Sequence, residues 1–363
     1  MSKKLLIFIP SIEDGGVEKN LYIIANYLYK NLKYLEIVTT SYNKKSYFNN
    51  KINFIGPKWK FLLNKGRYVK YFISLIYLIK QIILNKKNLI IFSFQANIFA
   101  IFVAKIFGIK IISRSNSSPS GWSNNFIKNK IFNYLLKKAD EIIVNSLSFK
   151  KEFLLKFNIR TTCVYNPFNA IDIKNCSDKK VNFNFFSKKN INIITVGRLT
   201  DQKDHMTLLK SFLLIKKEIR PKLLIIGKGF MHEHLSEFIK QNKMKKNVKL
   251  FGYCKNPHPY IKKADIFVLS SKFEGLPNVL IEAQFLKKYI ISSNCPTGPR
   301  EILLNGKAGD LFQTENYVKL SKLINNYKKK NIYNKIKIGF ENLHRFDYEI
   351  NCKKYLSIIK KFL

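Results

Sequence analysis

The sequence predicts an α/β protein built from two doubly wound parallel sheets, and three observations support this prediction. Short runs of β-branched and other apolar residues alternate with helical patterns along the chain, as in βαβ units. The length of 363 residues suits two domains, each large enough to bury a core. A polar stretch rich in Asn, Lys and Phe breaks the alternation before residue 190. We therefore expect a first domain over 1–168, a linker over 169–190 and a second domain over 191–344.

The strands of both domains can be placed from the apolar runs, with helices in the gaps. The first domain should contain seven strands: Leu5–Ile9, Glu36–Thr40, Ile52–Ile55, Leu89–Phe92, Lys110–Ser113, Glu141–Val144 and Thr161–Tyr165. The second should contain five: Ile191–Val196, Lys222–Ile226, Val248–Phe251, Ile266–Leu269 and Tyr289–Ser292. We expect residues 345–363 to form a helix that packs back on the first domain. Ligands of such sheets bind beyond the carboxyl ends of the strands, so the residues after each strand are the candidates for a site.

The net charge of the chain is high and unevenly distributed. The 65 Lys and Arg exceed the 23 Asp and Glu by 42, but only seven of the cations are Arg. Residues 37–139 hold 18 cations and no acid, which is about 0.17 charges per residue against about 0.09 elsewhere. Two interpretations remain open: a solvated lysine face that reflects composition, or a surface that binds an anionic membrane. We expect no nucleic-acid partner, because base recognition favours Arg and a recognisable binding module.

Other features of composition exclude several classes of protein. The five cysteines are scattered, without a Cys-x-x-Cys motif, which favours a reducing compartment and argues against structural zinc. The apolar start of the chain ends at Pro10 before a pair of acids, so it predicts a strand rather than a signal peptide. The most apolar segment, 89–103, is too short for a membrane span, and we expect no transmembrane helix. The five histidines have no metal-site spacing, and we interpret them as surface or packing residues.

The strongest candidate for a ligand site follows the first strand of the second domain. Arg198 and Lys203 fall on the loop between this strand and the next helix. Backbone N–H groups and the helix dipole add to the charge of such side chains, which suits a phosphate group. The alternative is that both are ordinary exposed cations of a lysine-rich protein.

A second candidate loop holds two carboxylates, Glu274 and Glu282, eight residues apart. Gly275 and Pro277 predict a tight turn at the start of a helix. The backbone N–H groups of Leu276, Asn278 and Val279 are therefore candidate hydrogen-bond donors. The two carboxylates can hold two parts of a polyhydroxylated ligand. A solvated loop acid is the alternative for Glu274.

Two further strand-to-helix loops have turn-forming residues. Asn294 to Ile302 forms a Pro- and Gly-rich turn before a helix. In the first domain, Gly15 and Gly16 follow the first strand and would let backbone approach a ligand, although their spacing is not that of a dinucleotide fingerprint.

Taken together, these motifs resemble those of the retaining glycosyltransferases of family 4, which have the GT-B fold of two Rossmann-like doubly wound domains facing across a cleft. The resemblance extends over essentially the whole chain. The motifs that carry it are Gly15-Gly16-Val-Glu18, Asn166, Gly197-Arg198-Leu with Lys203, Gly227-x-Gly229, Phe251-Gly252-Tyr253 and the pair Glu274 and Glu282. The run from Cys295 to Ile302 is similar to the bacterial branch that moves N-acetylhexosamine or related sugars in surface-glycan and lipid-linked oligosaccharide assembly.

The resemblance implies a UDP-sugar donor, a lipid-linked saccharide acceptor and a peripheral position on the inner face of the plasma membrane. It implies that Arg198 and Lys203, with Gly16 opposite, neutralise the departing diphosphate, and that Glu282 binds the ribose. Glu274 and the backbone from Gly275 to Asn278 would hold the donor sugar. Attack on the front face needs no enzyme nucleophile, and because there is no Asp-x-Asp motif we expect neither a metal nor another cofactor.

The sequence departs from the family after the fifth predicted strand. Many relatives carry a His there, whereas this chain has Arg114 and Asn116. Either Arg114 or Asn116 contacts the donor sugar, or this contact is lost. A nucleotide-sugar hydrolase or epimerase with the same fold, and a non-catalytic basic protein that binds membranes or nucleic acid, remain the alternatives.

The acceptor is expected in the first domain, where cations alternate with large apolar side chains. Residues 58–63 and 67–72 show this pattern, which suits a helix or loop at a bilayer interface. An ordinary amphipathic helix packed on the sheet is the alternative.

Overall fold

The computed structural model describes residues 3–13, 15–59, 61–62, 65–85, 88–116, 125–219, 221–327 and 332–363. The chain forms two compact units. The first unit comprises Met1–Pro167 and Tyr348–Leu363, and the second comprises Phe168–Asp347.

The first unit contains a seven-stranded parallel sheet. Its strands are β1 (Lys4–Phe8), β2 (Leu35–Val38), β3 (Asn53–Ile55), β4 (Leu89–Ser93), β5 (Lys110–Ser115), β6 (Glu141–Val144) and β7 (Thr162–Cys163). The strand order is β3-β2-β1-β4-β5-β6-β7, so the order reverses between β1 and β4. Every predicted strand of the first domain is present, with small shifts at the ends.

Helices cover both faces of this sheet. They are α1 (Gly16–Asn31), α2 (Arg67–Asn85), α3 (Asn97–Ile106), α4 (Phe126–Leu136) and α5 (Leu147–Phe157). Leu5 and Ile7 of β1 pack in one core with α1, whereas Leu6 and Phe8 pack in the other with α2, α3 and α5. The alternation arises because successive strand residues point to opposite faces, and it explains why a central strand is apolar throughout.

The second unit contains a six-stranded parallel sheet. Its strands are β8 (Ile191–Val196), β9 (Pro221–Ile226), β10 (Val248–Gly252), β11 (Ile266–Leu269), β12 (Tyr289–Ser293) and β13 (Asp310–Phe312). The order is β10-β9-β8-β11-β12-β13, which reverses between β8 and β11. The sequence analysis missed β13, because three residues beginning with an acid form no apolar run. The buried Tyr289 hydroxyl donates to Asp310, which explains how this acid is held inside a strand.

The helices of the second unit are α6 (Ala170–Ser177), α7 (His205–Leu213), α8 (His232–Gln241), α9 (His258–Lys263), α10 (Asn278–Phe285), α11 (Pro299–Ile302), α12 (Tyr317–Asn325) and α13 (Ile332–Glu341). The segment expected to be a linker therefore contains a helix, α6. Asn169 caps it by accepting a hydrogen bond from the backbone N–H of Asp172, and α6 packs against α9. These local contacts make most of the 169–190 segment a part of the second unit.

The last helix, α14 (Tyr348–Lys360), lies in the first unit. Its Tyr355 is fully buried among residues of β4 and α1, and the Lys3 ammonium donates to the carbonyl of Phe362 at 2.6 Å. No helix in the described part of the chain has both the length and the apolarity needed to cross a membrane.

Candidate functional site

The loops that follow β8 and β11 lie side by side at the carboxyl edge of the second sheet. These two strands are neighbours at the point where the strand order reverses, which is where α/β sheets bind ligands. The backbone N–H of Lys272 donates to the carbonyl of Gln202 at 2.8 Å, and the Gln202 amide donates to the carbonyl of Phe273 at 3.0 Å. The two loops predicted to carry a site are therefore joined directly.

An ion pair between Lys203 and Glu274 lies where these loops meet. The Lys203 ammonium is 2.5 Å from Oε1 of Glu274, and the Ser271 hydroxyl donates to the same oxygen at 2.6 Å. Glu274 is only 8% exposed. The sequence analysis gave these two side chains separate roles, on phosphate and on sugar. The structure brings them together, so the charge of each one fixes the position of the other.

The loop after β12 supports the Glu274 loop from a third side. The Thr297 hydroxyl donates to the carbonyl of Glu274 at 2.6 Å. Gly298 has a positive φ of +54°, and a Cβ on it would lie 1.8 Å from the carbonyl oxygen of Gly275. Only glycine allows this approach. Burial, with a smaller contribution from Glu274, raises the pKa of the Cys295 thiol to about 12, so this cysteine is a neutral packing residue.

Glu282, the second predicted carboxylate, is buried on α10 and is paired with a histidine. Its Oε2 lies 3.1 Å from Nε2 of His258, and Nδ1 of the same ring lies 2.8 Å from Oδ1 of Asn256. All five histidines were predicted to be surface or packing residues, and His258 is buried with both ring nitrogens in polar contacts. Neighbouring strands and helices bring residues 24 positions apart into contact here, and no local motif announces this.

Three glycines bring the loops after β8 and β9 into close contact. A Cβ on Gly227 would lie 1.8 Å from the carbonyl oxygen of Gly197, and one on Gly229 would lie 2.2 Å from that of Leu199. A Cβ on Gly197 would touch the Lys203 side chain at 3.5 Å. The glycines therefore let the loop that carries Lys203 pack down on its neighbour, while Arg198 stays exposed on the same loop.

The turn from Gly275 to Val279 leads into α10 as expected. Pro277 is the N-cap residue, and the N–H of Leu280 donates to its carbonyl at 3.0 Å. Leu276 and Pro277 are buried, whereas Gly275, Asn278 and Val279 are partly exposed. The start of α10 therefore follows directly on Glu274, which brings a helix N-terminus and its partial positive charge to the ion pair.

In the first unit, the predicted glycines lie at the start of α1. Gly15 is the N-cap residue with an extended backbone, and Gly16 is the exposed first residue of the helix. A Cβ on Gly15 would lie 2.7 Å from Oε2 of the buried Glu18, to which the Gln95 side chain donates at 3.3 Å. Glu18 therefore occupies the space that a larger residue at position 15 would need.

The structure gives Arg114 and Asn116 contacts inside the first unit. The Arg114 guanidinium is fully buried and donates from Nε to the Tyr355 hydroxyl at 2.8 Å and from Nη2 to Asn166 Oδ1 at 2.7 Å. Its Nη1 donates to Asn116, whose amide nitrogen donates in turn to the carbonyl of Phe94 at 2.8 Å. Arg114 thus ties α14 to the end of β5, and this network uses both ends of the Asn116 amide.

Three other histidines, His205, His232 and His234, also lie in the second unit. Burial lowers the pKa of His205 to about 3, so it is a neutral core residue, whereas His232 and His234 are exposed on α8. No three His, Cys, Asp or Glu side chains among the residues that the structure describes are grouped as metal ligands would be.

Comparison with known protein sequences gives a family match and relatives that are named as glycosyltransferases. Residues 177–340 match the family model of the glycosyl transferases group 1. An uncharacterised glycosyltransferase from Methanocaldococcus jannaschii is 36% identical over 178 residues, which are 47% of this chain and only 44% of that relative. A relative from Campylobacter jejuni is 29% identical over 86% of this chain and 87% of its own length. It is named as an N-acetylgalactosamine-N,N'-diacetylbacillosaminyl-diphospho-undecaprenol 4-alpha-N-acetylgalactosaminyltransferase.

Two solved structures are similar over nearly the whole chain. Anabaena HepE, in complex with UDP-glucose, has a TM-score of 0.77 at 15% identity and matches 99% of this chain and 100% of its own. A glycosyltransferase from Rickettsia africae has a TM-score of 0.78 at 19% identity and matches 99% of this chain and 98% of its own. At these identities the similarity concerns the fold, and it confirms the fold class predicted from the sequence.

Proposed function

We propose that the chain, whose residues 177–340 match the family model of the glycosyl transferases group 1, transfers a sugar from a UDP-sugar to a lipid-linked saccharide with retention of configuration. The family match and the relatives named as glycosyltransferases support the enzyme class predicted from the sequence. The observation that carries the proposal is the buried Lys203–Glu274 pair, which lies where the loops after β8 and β11 meet, directly before α10. Both residues of this pair were predicted from the sequence to be site residues.

When the bond between the sugar and the diphosphate of a UDP-sugar breaks, UDP leaves and its diphosphate gains negative charge. Lys203 and Arg198 supply positive charge on one loop, and the first turn of α10, at Asn278 and Val279, supplies backbone N–H groups and the positive end of a helix dipole. Because these groups are held before the reaction starts, they stabilise the developing charge without reorganisation. The proposal needs no metal, since cations and amides neutralise the diphosphate.

The two carboxylates, Glu274 and Glu282, would bind the uncharged parts of the donor, which are the sugar and the ribose. A carboxylate is an acceptor for hydroxyl groups, and Glu274 is fixed by Lys203 and Ser271 so that it can orient the sugar. Glu282, one turn into α10, would accept hydrogen bonds from the ribose hydroxyls. With both ends of the donor held, the departing phosphate oxygen can take the proton of the acceptor hydroxyl on the same face. That geometry retains the anomeric configuration without a covalent enzyme intermediate.

The identity of the sugar is the finer part of the proposal. The Campylobacter relative is named as an N-acetylgalactosaminyltransferase that acts on a diphospho-undecaprenol substrate, and HepE was crystallised with UDP-glucose. We therefore propose an N-acetylhexosamine or a hexose as the transferred group and a diphosphate-linked lipid saccharide as the acceptor.

A panel of UDP-sugars, with UDP release as the readout, tests the donor. We expect one or two sugars to support release, and the matching UDP-sugar to raise the melting temperature of the wild-type chain but not of Glu274→Ala or Arg198→Ala. Glu237→Ala, an exposed carboxylate on α8, is the matched control and should keep the wild-type response. A chain that shows no response to UDP while binding RNA tightly in a salt-sensitive way would contradict the proposal. Release of free sugar without transfer would favour the hydrolase.

We also propose that the first unit binds an anionic membrane through α2, α3 and α4. Each of these neighbouring helices exposes a row of large apolar side chains. The rows consist of Tyr68, Phe72, Ile76 and Ile83 on α2, Phe99, Phe102 and Ile106 on α3, and Ile127, Ile131 and Tyr134 on α4. Tyr68 and Phe72 are each 67% exposed, which is unusual for aromatic residues of a helix packed on a sheet.

Charge favours a membrane over a second copy of the chain as the occupant of this face. Arg67, Lys80, Lys128 and Lys130 are exposed on α2 and α4, and residues 37–139 contain no acid to balance them. Two copies would bring the same cations face to face, whereas each Lys near an anionic bilayer contributes about 1 kcal/mol of attraction. Apolar side chains flanked by cations are typical of elements that lie in a bilayer interface.

The cysteines bear on localisation. Cys163, Cys176, Cys254, Cys295 and Cys352, all within the described residues, form no disulfide, which supports a reducing compartment and hence the inner face of the plasma membrane.

Flotation with liposomes at low salt tests the proposed membrane binding. We expect binding to anionic but not to neutral vesicles and a large loss of binding in the double variant Phe72→Glu, Ile76→Glu. The control Leu155→Glu, on the exposed surface of α5, should bind as wild type does. Equal binding of the wild type to both kinds of vesicle would overturn this part.

A further inference from the structure

The ring of His258 meets an oxygen at both of its nitrogens. His258 is the first residue of α9 and is only 5% exposed. Nε2 lies 3.1 Å from Oε2 of Glu282, and Nδ1 lies 2.8 Å from Oδ1 of Asn256. The protons on this ring can therefore be assigned from what surrounds it.

The orientation of the Asn256 side chain is fixed by a backbone carbonyl. Its amide nitrogen donates to the carbonyl of Cys176 at 2.8 Å, and a carbonyl can only accept. The amide oxygen must therefore face His258, where it also accepts the backbone N–H of His258 at 3.4 Å. Since an oxygen faces Nδ1, this ring nitrogen carries a proton.

The second ring nitrogen faces a carboxylate oxygen. Without a proton on Nε2, its lone pair and that of Glu282 Oε2 would face each other at 3.1 Å in a buried site, which is unfavourable. A proton on Nε2 instead donates a hydrogen bond to the Glu282 carboxylate.

The other charged groups around this ring lie on α9 itself and on α6 and α10, which pack against it. On α9, Lys262 is paired with Asp178 at 2.6 Å, and Lys263 is exposed. On α6, Asp172 and Lys174 are exposed, and Cys176 contributes its backbone carbonyl. On α10, Glu282 is the titratable group, and the neighbouring strand β8 has none. Among the described residues, Glu282 is thus the charged side chain that contacts the ring.

We propose that His258 is a positioning residue for Glu282, and that donor affinity depends on the hydrogen bond between the two side chains. The inference rests on the proposed role of Glu282 at the donor ribose. The ring fixes one carboxylate oxygen and so sets the direction of the other lone pairs toward the ligand. When this hydrogen bond is lost, Glu282 is no longer held in this orientation, and the affinity for UDP falls.

Isothermal titration calorimetry with UDP, on the wild type and on two His258 variants, tests the proposal. His258→Phe should bind UDP about 10-fold more weakly, because a hydrogen bond to a charged group is lost. His258→Gln keeps a side-chain donor, so it should recover part of the affinity. In turnover, KM for the donor should rise more than kcat falls.

Two controls separate the possible failures. His232→Gln, which replaces an exposed histidine on α8, should bind UDP as the wild type does. Asn256→Ala removes the oxygen at Nδ1 and should also weaken UDP binding, so it remains a test if the His258 variants do not fold. Wild-type affinity in His258→Phe, His258→Gln and Asn256→Ala, with weak UDP binding in Glu282→Gln, would overturn the role of His258 alone. No effect of Glu282→Gln would overturn the ribose role of Glu282 in the proposed function.

Discussion

The two units of the chain differ in where some of their charged side chains lie. In the second unit, buried carboxylates contact basic side chains at the carboxyl edge of the sheet, as Glu274 does with Lys203 and Glu282 with His258. In the first unit, cations such as Lys80 and Lys128 are exposed on helices whose sequence contains no acid, and the deeply buried Arg114 is held by neutral groups.

This difference fits the partners proposed for the two units. Buried pairs cost desolvation energy and gain it back only in a fixed geometry, so they suit a site that must hold a ligand in one orientation. Exposed, unbalanced cations impose no geometry, but they attract any extended anionic surface. Both patterns therefore support the proposals that the second unit binds a small polar ligand and the first an anionic surface.

The largest effect should come from removing the cation of the second unit. Lys203→Ala should lower kcat by about 10²–10³, because one preorganised group that stabilises developing charge is lost and Glu274 stays buried without its partner. Lys210→Ala, an exposed cation on α7, is the control and should change kcat by less than about twofold. Single-turnover rates with saturating donor would measure both. Equal rates for the two variants would remove Lys203 from the chemistry.

Arg114 should matter for folding rather than for turnover. Arg114→Met keeps much of the side-chain volume but removes three hydrogen bonds, which should lower the melting temperature by about 5–10 °C. Arg67→Met, an exposed cation of α2, should change it by about 1 °C at most. Thermal unfolding followed by circular dichroism gives both values. An unchanged melting temperature with a raised donor KM would instead make Arg114 a donor contact.

Gly298 tests how closely the loops of the second unit must fit. An alanine there would place Cβ against the carbonyl of Gly275 at a positive φ, so Gly298→Ala should displace the Glu274 loop and lower kcat/KM about 10-fold. Gly66→Ala has open space around it and should leave kcat/KM unchanged. Steady-state kinetics of the two variants make the comparison, and a fully active Gly298→Ala would show that the loop geometry is not required.

The smallest effect concerns salt. Raising the salt from about 0.1 M to about 0.5 M shortens the Debye length, so binding to anionic vesicles should weaken. Salt does not screen apolar contacts. The wild type should therefore keep a larger fraction of its vesicle binding at the higher salt than Phe72→Glu keeps. Flotation over a salt series measures this, and complete loss of wild-type binding at the higher salt would assign the attraction to charge alone.

Much of the fold could be predicted from the sequence, because buried parallel strands are continuous apolar runs. All strands were found except β13, which begins with Asp310 and is too short to form a run. The helix α6 was missed because its residues, from Ala170 to Ser177, have no apolar periodicity and are held by an N-cap and by α9.

The candidate site could be predicted only as a set of separate loops. Arg198, Glu274 and Glu282 follow strand ends, which the sequence marks clearly. The pairing of Lys203 with Glu274 depends on the adjacency of β8 and β11, and adjacency is a property of the sheet order rather than of any local pattern. The same holds for His258 with Glu282, which no spacing rule would join.

The central claim is that the second unit holds a UDP-sugar for transfer with retention. The most direct measurement is the anomeric configuration, by NMR, of the product formed from the UDP-sugar that supports UDP release and a diphosphate-linked lipid saccharide. The account predicts an α-glycoside from an α-linked donor, and no such product with Glu274→Ala. A β-glycoside, or free sugar with no glycoside, would contradict it.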